Sequence, residues 1–159
     1  MIEYEYSFKV LDIKPFIKFC ENKNYEKEES ITQTRVLYKN ENGVLARITT
    51  NKSDNRVKQY LNFKEENESE KVLKESKETS MLEVNSENKD FIKSMLEILN
   101  FYKSKELKRT RHIYKKDKVK FEIDYYMQPE MQVVAIEGEK NEVDKVYKEI
   151  EVLYEKYKI

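Results

Sequence analysis

The stretch Ile2-Glu3-Tyr4-Glu5-Tyr6-Ser7-Phe8-Lys9-Val10 decides how this chain reads. Apolar side chains at 2, 4, 6, 8 and 10 alternate with Glu3, Glu5, Ser7 and Lys9, and a period of two gives one β-strand a buried face and a polar face. The same alternation predicts strands over 30–38, 44–50, 56–64 and 79–84, and again over 105–114, 119–125 and 132–137. Asn42-Gly43 marks a tight hairpin between 30–38 and 44–50. Helical spacing takes over elsewhere. Behind Asp12 as N-cap, Ile13, Phe16, Ile17 and Cys20 recur at helical intervals to about residue 24. Phe91, Ile92, Met95, Leu96 and Leu99 form a second stripe, and Val143, Val146, Tyr147, Ile150, Leu153 and Tyr154 a third. Residues 65–76, rich in charge and serine, read as a mobile surface loop.

A chain of 159 residues is the size of one domain. Here it divides into halves of about 1–64 and 77–159. Two glycines exclude the glycine-rich phosphate loops of nucleotide-binding folds, so any phosphate must be held by side chains. One histidine and one cysteine exclude a zinc cluster and an intramolecular disulfide, which fits a reducing, cytoplasmic setting. Cys20 falls on the core side of its helix, and His112 alternates away from the polar face. Thirty-one basic residues balance thirty-one acidic ones, which argues against general nucleic-acid binding. No apolar run has the length of a membrane span, and a homodimer is left open.

The halves repeat. Phe16-Ile17-Lys18 returns as Phe91-Ile92-Lys93, and Thr34 to Lys39 return as Thr110 to Lys115, at offsets that differ by one residue. Each half is therefore expected to be strand, helix and meander, an α+β fold built by internal duplication. About eight antiparallel strands can close into a barrel, because closure removes exposed edges. The polar faces would then converge inside. They carry Glu3, Glu5, Ser7 and Lys9; Gln33 and Arg35; Arg47 and Thr49; Lys58, Tyr60, Asn62 and Lys64; Arg109 and Arg111; Lys120, Glu122 and Asp124; and Glu137. Arginine and lysine neutralise phosphate chains through charge-assisted hydrogen bonds, and clustered carboxylates suit Mg²⁺ or Mn²⁺.

These residues resemble the CYTH proteins, or triphosphate tunnel metalloenzymes, which include class IV adenylate cyclases and thiamine triphosphatases. Glu3-x-Glu5 is similar to the family's E-x-E-x-K, Leu45-Ala46-Arg47-Ile48 to A-L-R-I-R, and Leu61-Asn62-Phe63-Lys64 to T-L-K. Arg109-x-Arg111 with Tyr114, Asp124 after an apolar strand, and Ile136-Glu137-Gly138 extend the likeness over nearly the whole chain. The resemblance implies a closed eight-stranded antiparallel barrel with flanking helices. It implies that Glu3, Glu5 and Glu137 bind Mg²⁺ or Mn²⁺, and that Arg47, Lys64, Arg109 and Arg111 grip a triphosphate. Lys9 and Arg35 are added cations on the same faces. Glu5, Lys64 and Asp124 take the catalytic roles, Asp124 by orienting a basic residue or a metal-bound water.

The implied activity is hydrolysis of inorganic triphosphate or of an organic or nucleoside triphosphate. A class IV cyclase-like reaction and a binding module without turnover are the alternatives. Ser7 stands where the family has lysine, Thr49 where it has a second arginine and Ala135 where it has a first glutamate. Residues 127–131 replace a glycine-rich turn, and Glu139 is a candidate substitute carboxylate.

Overall fold

The structure, a computed structural model, describes residues 2–28, 30–66 and 73–159, and the side chains of Glu3, Leu73 and Lys74 lie outside that description. The opening alternation forms β1 (Ile2–Val10), and α1 (Lys14–Asn22) follows it, the Asp12 carboxylate accepting the Lys14 N–H at 3.0 Å. A short β2 (Glu26–Lys27) precedes the meander β3 (Ile31–Lys39), β4 (Val44–Ser53) and β5 (Arg56–Glu65). Then come β6 (Leu73–Lys77), β7 (Leu82–Glu83) and α2 (Lys89–Ile98). A second meander, β8 (Tyr102–Lys116), β9 (Val119–Met127) and β10 (Glu130–Gly138), leads into α3 (Lys140–Tyr157).

Nine strands follow one antiparallel path, β6-β1-β10-β9-β8-β3-β4-β5-β7, with β2 paired to β8 beside it. The sheet curls into a half-barrel. This differs from the eight-strand closed barrel expected from the sequence. Among the described residues the edges meet where the chain leaving β6 touches β5, with a bridge between Lys64 and Glu78 and the Thr79 N–H donating to the Phe63 carbonyl at 2.9 Å. The expected loop at 65–76 is also corrected. Residues 67–72 lie outside the described residues, but β6 pairs with β1 from Ile2–Lys77 to Tyr6–Leu73. The Leu-Lys-Glu-Ser-Lys sequence of β6 has too little apolar alternation to announce a strand. The strand expected over 79–84 shrinks to two residues.

The duplication is visible in the register. β3 and β8 pair antiparallel with Gln33 opposite Arg109, positions 76 apart, so a pseudo-twofold axis runs between them. Around it β4 corresponds to β9, β5 to β10 and β7 to β1. The helices obey the same offset: α1 buries Phe16 and Cys20, and α2 buries Ile92 and Leu96. The literal Phe-Ile-Lys match is thus one residue out of step, because burial sets the rotation of a helix and Phe91, at 69% exposed, points away from the core.

The outer face of β1, β9 and β10 packs against α1 and α3 through a core including Phe8, Val10, Phe16, Phe121, Ile123, Val134, Ile136, Val143 and Ile150. A smaller core of Ala46, Leu61, Ile92 and Leu96 lies under α2. With apolar faces outward against helices, the polar faces are left to the concave side. Cys20 is fully buried, and burial pushes its thiol up to about 12, in keeping with a structural thiol. Gly138 ends β10 at φ +145°, where a Cβ would stand 2.0 Å from the Lys118 carbonyl oxygen. Among the described residues no helix is long and apolar enough to cross a membrane.

Candidate functional site

Strand register places the polar residues in rows across the concave face. Glu5 on β1 lies opposite Glu137 on β10, which lies opposite Lys120 on β9. The next row is Ser7, Ala135 and Glu122. Arg111 on β8 faces Asp124 on β9, and Arg35 on β3 faces Thr49 on β4. Together with Arg47, Lys64, Arg109, Glu78, Met81 and Tyr126 these rows line a cavity of about 200 Å³, to which Thr49 contributes through Arg35. A wider groove of about 940 Å³ shares Glu78, Met81, Lys120 and Glu137 with it and forms a mouth.

The sequence-based set therefore converges, with exceptions. Glu5, Arg35, Arg47, Lys64, Arg109, Arg111, Asp124 and Glu137 all line the cavity. Lys9, expected to add a cation, is exposed at the far end of β1 and does not line it. The Glu3 side chain lies outside the described residues. Glu139 is no substitute carboxylate there, because the strand stops at Gly138 and Glu139 pairs with Lys118 at 3.0 Å in front of α3. Glu78 and Tyr126 were not foreseen. Continuing the alternation Lys120, Glu122, Asp124 by one step would have found Tyr126, but Glu78 sits past the end of β6 with no periodic signal.

The charges are mostly neutralised within the wall. Arg111 holds both oxygens of Asp124, at 2.8 and 2.9 Å, and Glu122 at 2.6 Å. Arg47 binds Asn62 at 3.0 Å and forms an ion pair with Glu78. Lys120 lies 2.6 Å from Glu137 and 3.7 Å from Glu122. Burial works against the charged form of Glu122, but Arg111 and Lys120 outweigh it and hold its carboxyl at about 2. Burial likewise lowers Lys120, and Glu122 and Glu137 more than reverse it.

Two arginines are left wanting. Arg35 donates through Nε to the Thr49 hydroxyl at 3.1 Å and makes no ion pair among the described residues. Burial and then the neighbouring Arg109, Arg47 and Arg111 push it well below the ordinary arginine range. Arg109 donates to Gln33 at 2.7 Å and to the Tyr126 hydroxyl and its Nη1 lies 3.4 Å from Asp124 Oδ2, but its Nη2 is buried with no hydrogen-bond partner among the described residues. A buried donor left without an acceptor costs about 1–3 kcal/mol. His112 lies elsewhere, half-buried with Nδ1 2.9 Å from the Ser30 hydroxyl.

No protein-family model matches the chain, and no curated protein matches it. Solved structures do. PH1012 from Pyrococcus horikoshii aligns at TM-score 0.69 and 21% identity, covering 96% of this chain and 88% of that one. HpAC1 from Hippeastrum, described as having a dominant triphosphatase activity, aligns at TM-score 0.66 and 12% identity over 98% and 90% of the two chains. A chain of the Schizosaccharomyces pombe Mediator head module aligns at TM-score 0.66 and 10% identity over 100% and 97%. The chain has the CYTH, or triphosphate-tunnel, fold.

Proposed function

We propose that the cavity binds the phosphate chain of inorganic triphosphate or of an organic or nucleoside triphosphate, and hydrolyses it with Mg²⁺ or Mn²⁺. The observation that carries this reading is the buried Arg109 Nη2, without a hydrogen-bond partner among the described residues, beside Arg35, whose side chain donates to a threonine hydroxyl, both enclosed with Arg47, Arg111 and Lys64 in one cavity. Like charges held together without enough partners raise each other's energy, and a polyanion relieves that repulsion while supplying the missing acceptors.

In this reading Arg35 and Arg109 take phosphate oxygens directly. Asp124 fixes the Arg111 guanidinium from behind by its two-pronged bond, and Asn62 does the same for Arg47. Lys64, at the meeting of the sheet edges, stands where charge can be met as it develops on the transferred phosphoryl group. The donor chemistry fits a hard divalent cation: Glu5 and Glu137 are cross-strand neighbours with oxygen ligands, and Glu3 precedes Glu5 by one strand period. Among the described residues no three ligating side chains form a metal cluster. When bound there, such an ion would polarise a phosphoryl oxygen and orient water.

A second reading, capture without turnover, is favoured by Ser7 in place of a cation and by the engagement of Arg47 and Arg111 with carboxylates of the wall itself. The cyclase-like reaction would use the same grip with a ribose hydroxyl as nucleophile. Thermal melts with triphosphate, phosphate and sulfate test the binding. A selective upshift with triphosphate, of about 2.7 kcal/mol at a hundredfold excess over Kd, is expected. Equal shifts with all three anions, or none, would overturn it. Product analysis on triphosphate, ATP and thiamine triphosphate with Mg²⁺ or Mn²⁺ then separates hydrolysis, cyclisation and simple capture.

A further inference from the structure

The row Glu5, Glu137, Lys120 sets two carboxylates side by side with an ammonium next to them. Glu5 and Glu137 are directly opposed across β1 and β10, and opposed like charges destabilise a sheet. Lys120 is the next member of the row and reaches back, its Nζ 2.6 Å from Glu137 Oε1 and 3.7 Å from Glu122 Oε2. Its side chain is 32% exposed and stands where the cavity opens into the wider groove. The ammonium thus occupies one oxygen of a carboxylate that a divalent cation would use.

We propose that Lys120 is a built-in counter-cation that competes with divalent metal for Glu137, so that metal binding releases Lys120 toward a polyanion entering at the mouth. This rests on the reading of the cavity as a triphosphate site, and it adds a residue whose job is to set metal affinity. A lysine suits the role because its ammonium is a single mobile point charge, whereas Arg111 is locked by three carboxylate contacts. Without metal, Lys120 keeps the carboxylate row neutral enough for anions to approach. With metal, the same positive charge becomes available to phosphate.

The test is a Mn²⁺ titration of the full chain, followed by electron paramagnetic resonance of free Mn²⁺, for the unaltered protein and for Lys120→Met, Lys120→Gln and Lys120→Arg. Removing one unit charge in contact with a ligand carboxylate should tighten Mn²⁺ binding at least about tenfold in the Met and Gln variants. Lys120→Arg should stay near the unaltered value. Two neutral variants guard against one that fails to fold, which thermal melts will show. Equal Mn²⁺ affinity in the unaltered protein and both neutral variants would overturn the inference, as would weaker binding in the variants. The functional reading fails separately, if triphosphate gives the unaltered protein no selective thermal upshift in the presence of EDTA or Mn²⁺.

Discussion

The two walls of the cavity are copies of one backbone plan with opposite electrostatic characters. Around the twofold between Gln33 and Arg109, Arg35 matches Arg111, Thr49 matches Asp124, Arg47 matches Glu122 and Lys64 matches Glu137. The β3–β5 wall is cationic at three of these four positions. The β8–β10 wall has kept one arginine and filled the other three with carboxylates. Consequently Arg111 makes three hydrogen bonds to carboxylate oxygens, while Arg35, in the equivalent slot, donates to a threonine hydroxyl and makes no ion pair among the described residues. The symmetry supplies equivalent slots, and side-chain identity fills the β8–β10 wall with an ion-pair lattice while leaving the β3–β5 wall with an excess of cations.

The comparison breaks most readily at that arginine pair. Arg111→Met strands the buried carboxylates of Asp124 and Glu122, and losing one partner of a buried pair costs about 3–5 kcal/mol, so chemical denaturation should show a loss at the upper end of that range. Arg35→Met removes a repelled charge and should leave stability unchanged or higher. Comparable losses in the two variants would abolish the distinction between the walls. The helices provide a second pair: Phe16→Ala should cost about 3 kcal/mol, and Phe91→Ala, at the position the repeated tripeptide made equivalent, no more than about 0.5. If the two costs were alike, the 76-residue offset would be wrong.

Ligand binding should divide along the same line. The thermal upshift from triphosphate, about 2.7 kcal/mol at a hundredfold excess for the unaltered chain, should disappear in Arg35→Met although its fold is intact. An undiminished shift would move the anion to the other wall. Acid sensitivity gives a further test. Glu122 titrates at about 2 in the fold against an ordinary value of 4.5, so its contribution is full above pH 4.5 and is lost as pH falls toward 2. Glu122→Gln should therefore flatten the stability profile between pH 4.5 and 2, measured by denaturant melts. An unchanged slope in that window would assign the acid sensitivity to other carboxylates.

Strand and helix periodicity was legible because a half-buried strand must alternate and an amphipathic helix must repeat at about 3.6 residues. From Ile2–Val10 onward this sufficed to list most of the concave face, and eight of the ten candidate site residues line the cavity. Lys9 lies outside the cavity: alternation names a face but not how far along the strand the cavity extends. Glu78 was invisible because it belongs to no period; it enters only where the chain crosses from β6 to β5.

What the chain determined by itself was which side chains share a face, since that follows from backbone geometry within one strand. Which of them satisfy one another depended on register between strands distant in sequence. Only the pairing of β1 with β10 opposes Glu5 to Glu137, and only the pairing of β9 with β10 brings Lys120 to that carboxylate. Charge neutralisation falls off within a few ångströms in a screened medium, so the function of each arginine and lysine here is a property of tertiary distance that no spacing along the sequence encodes.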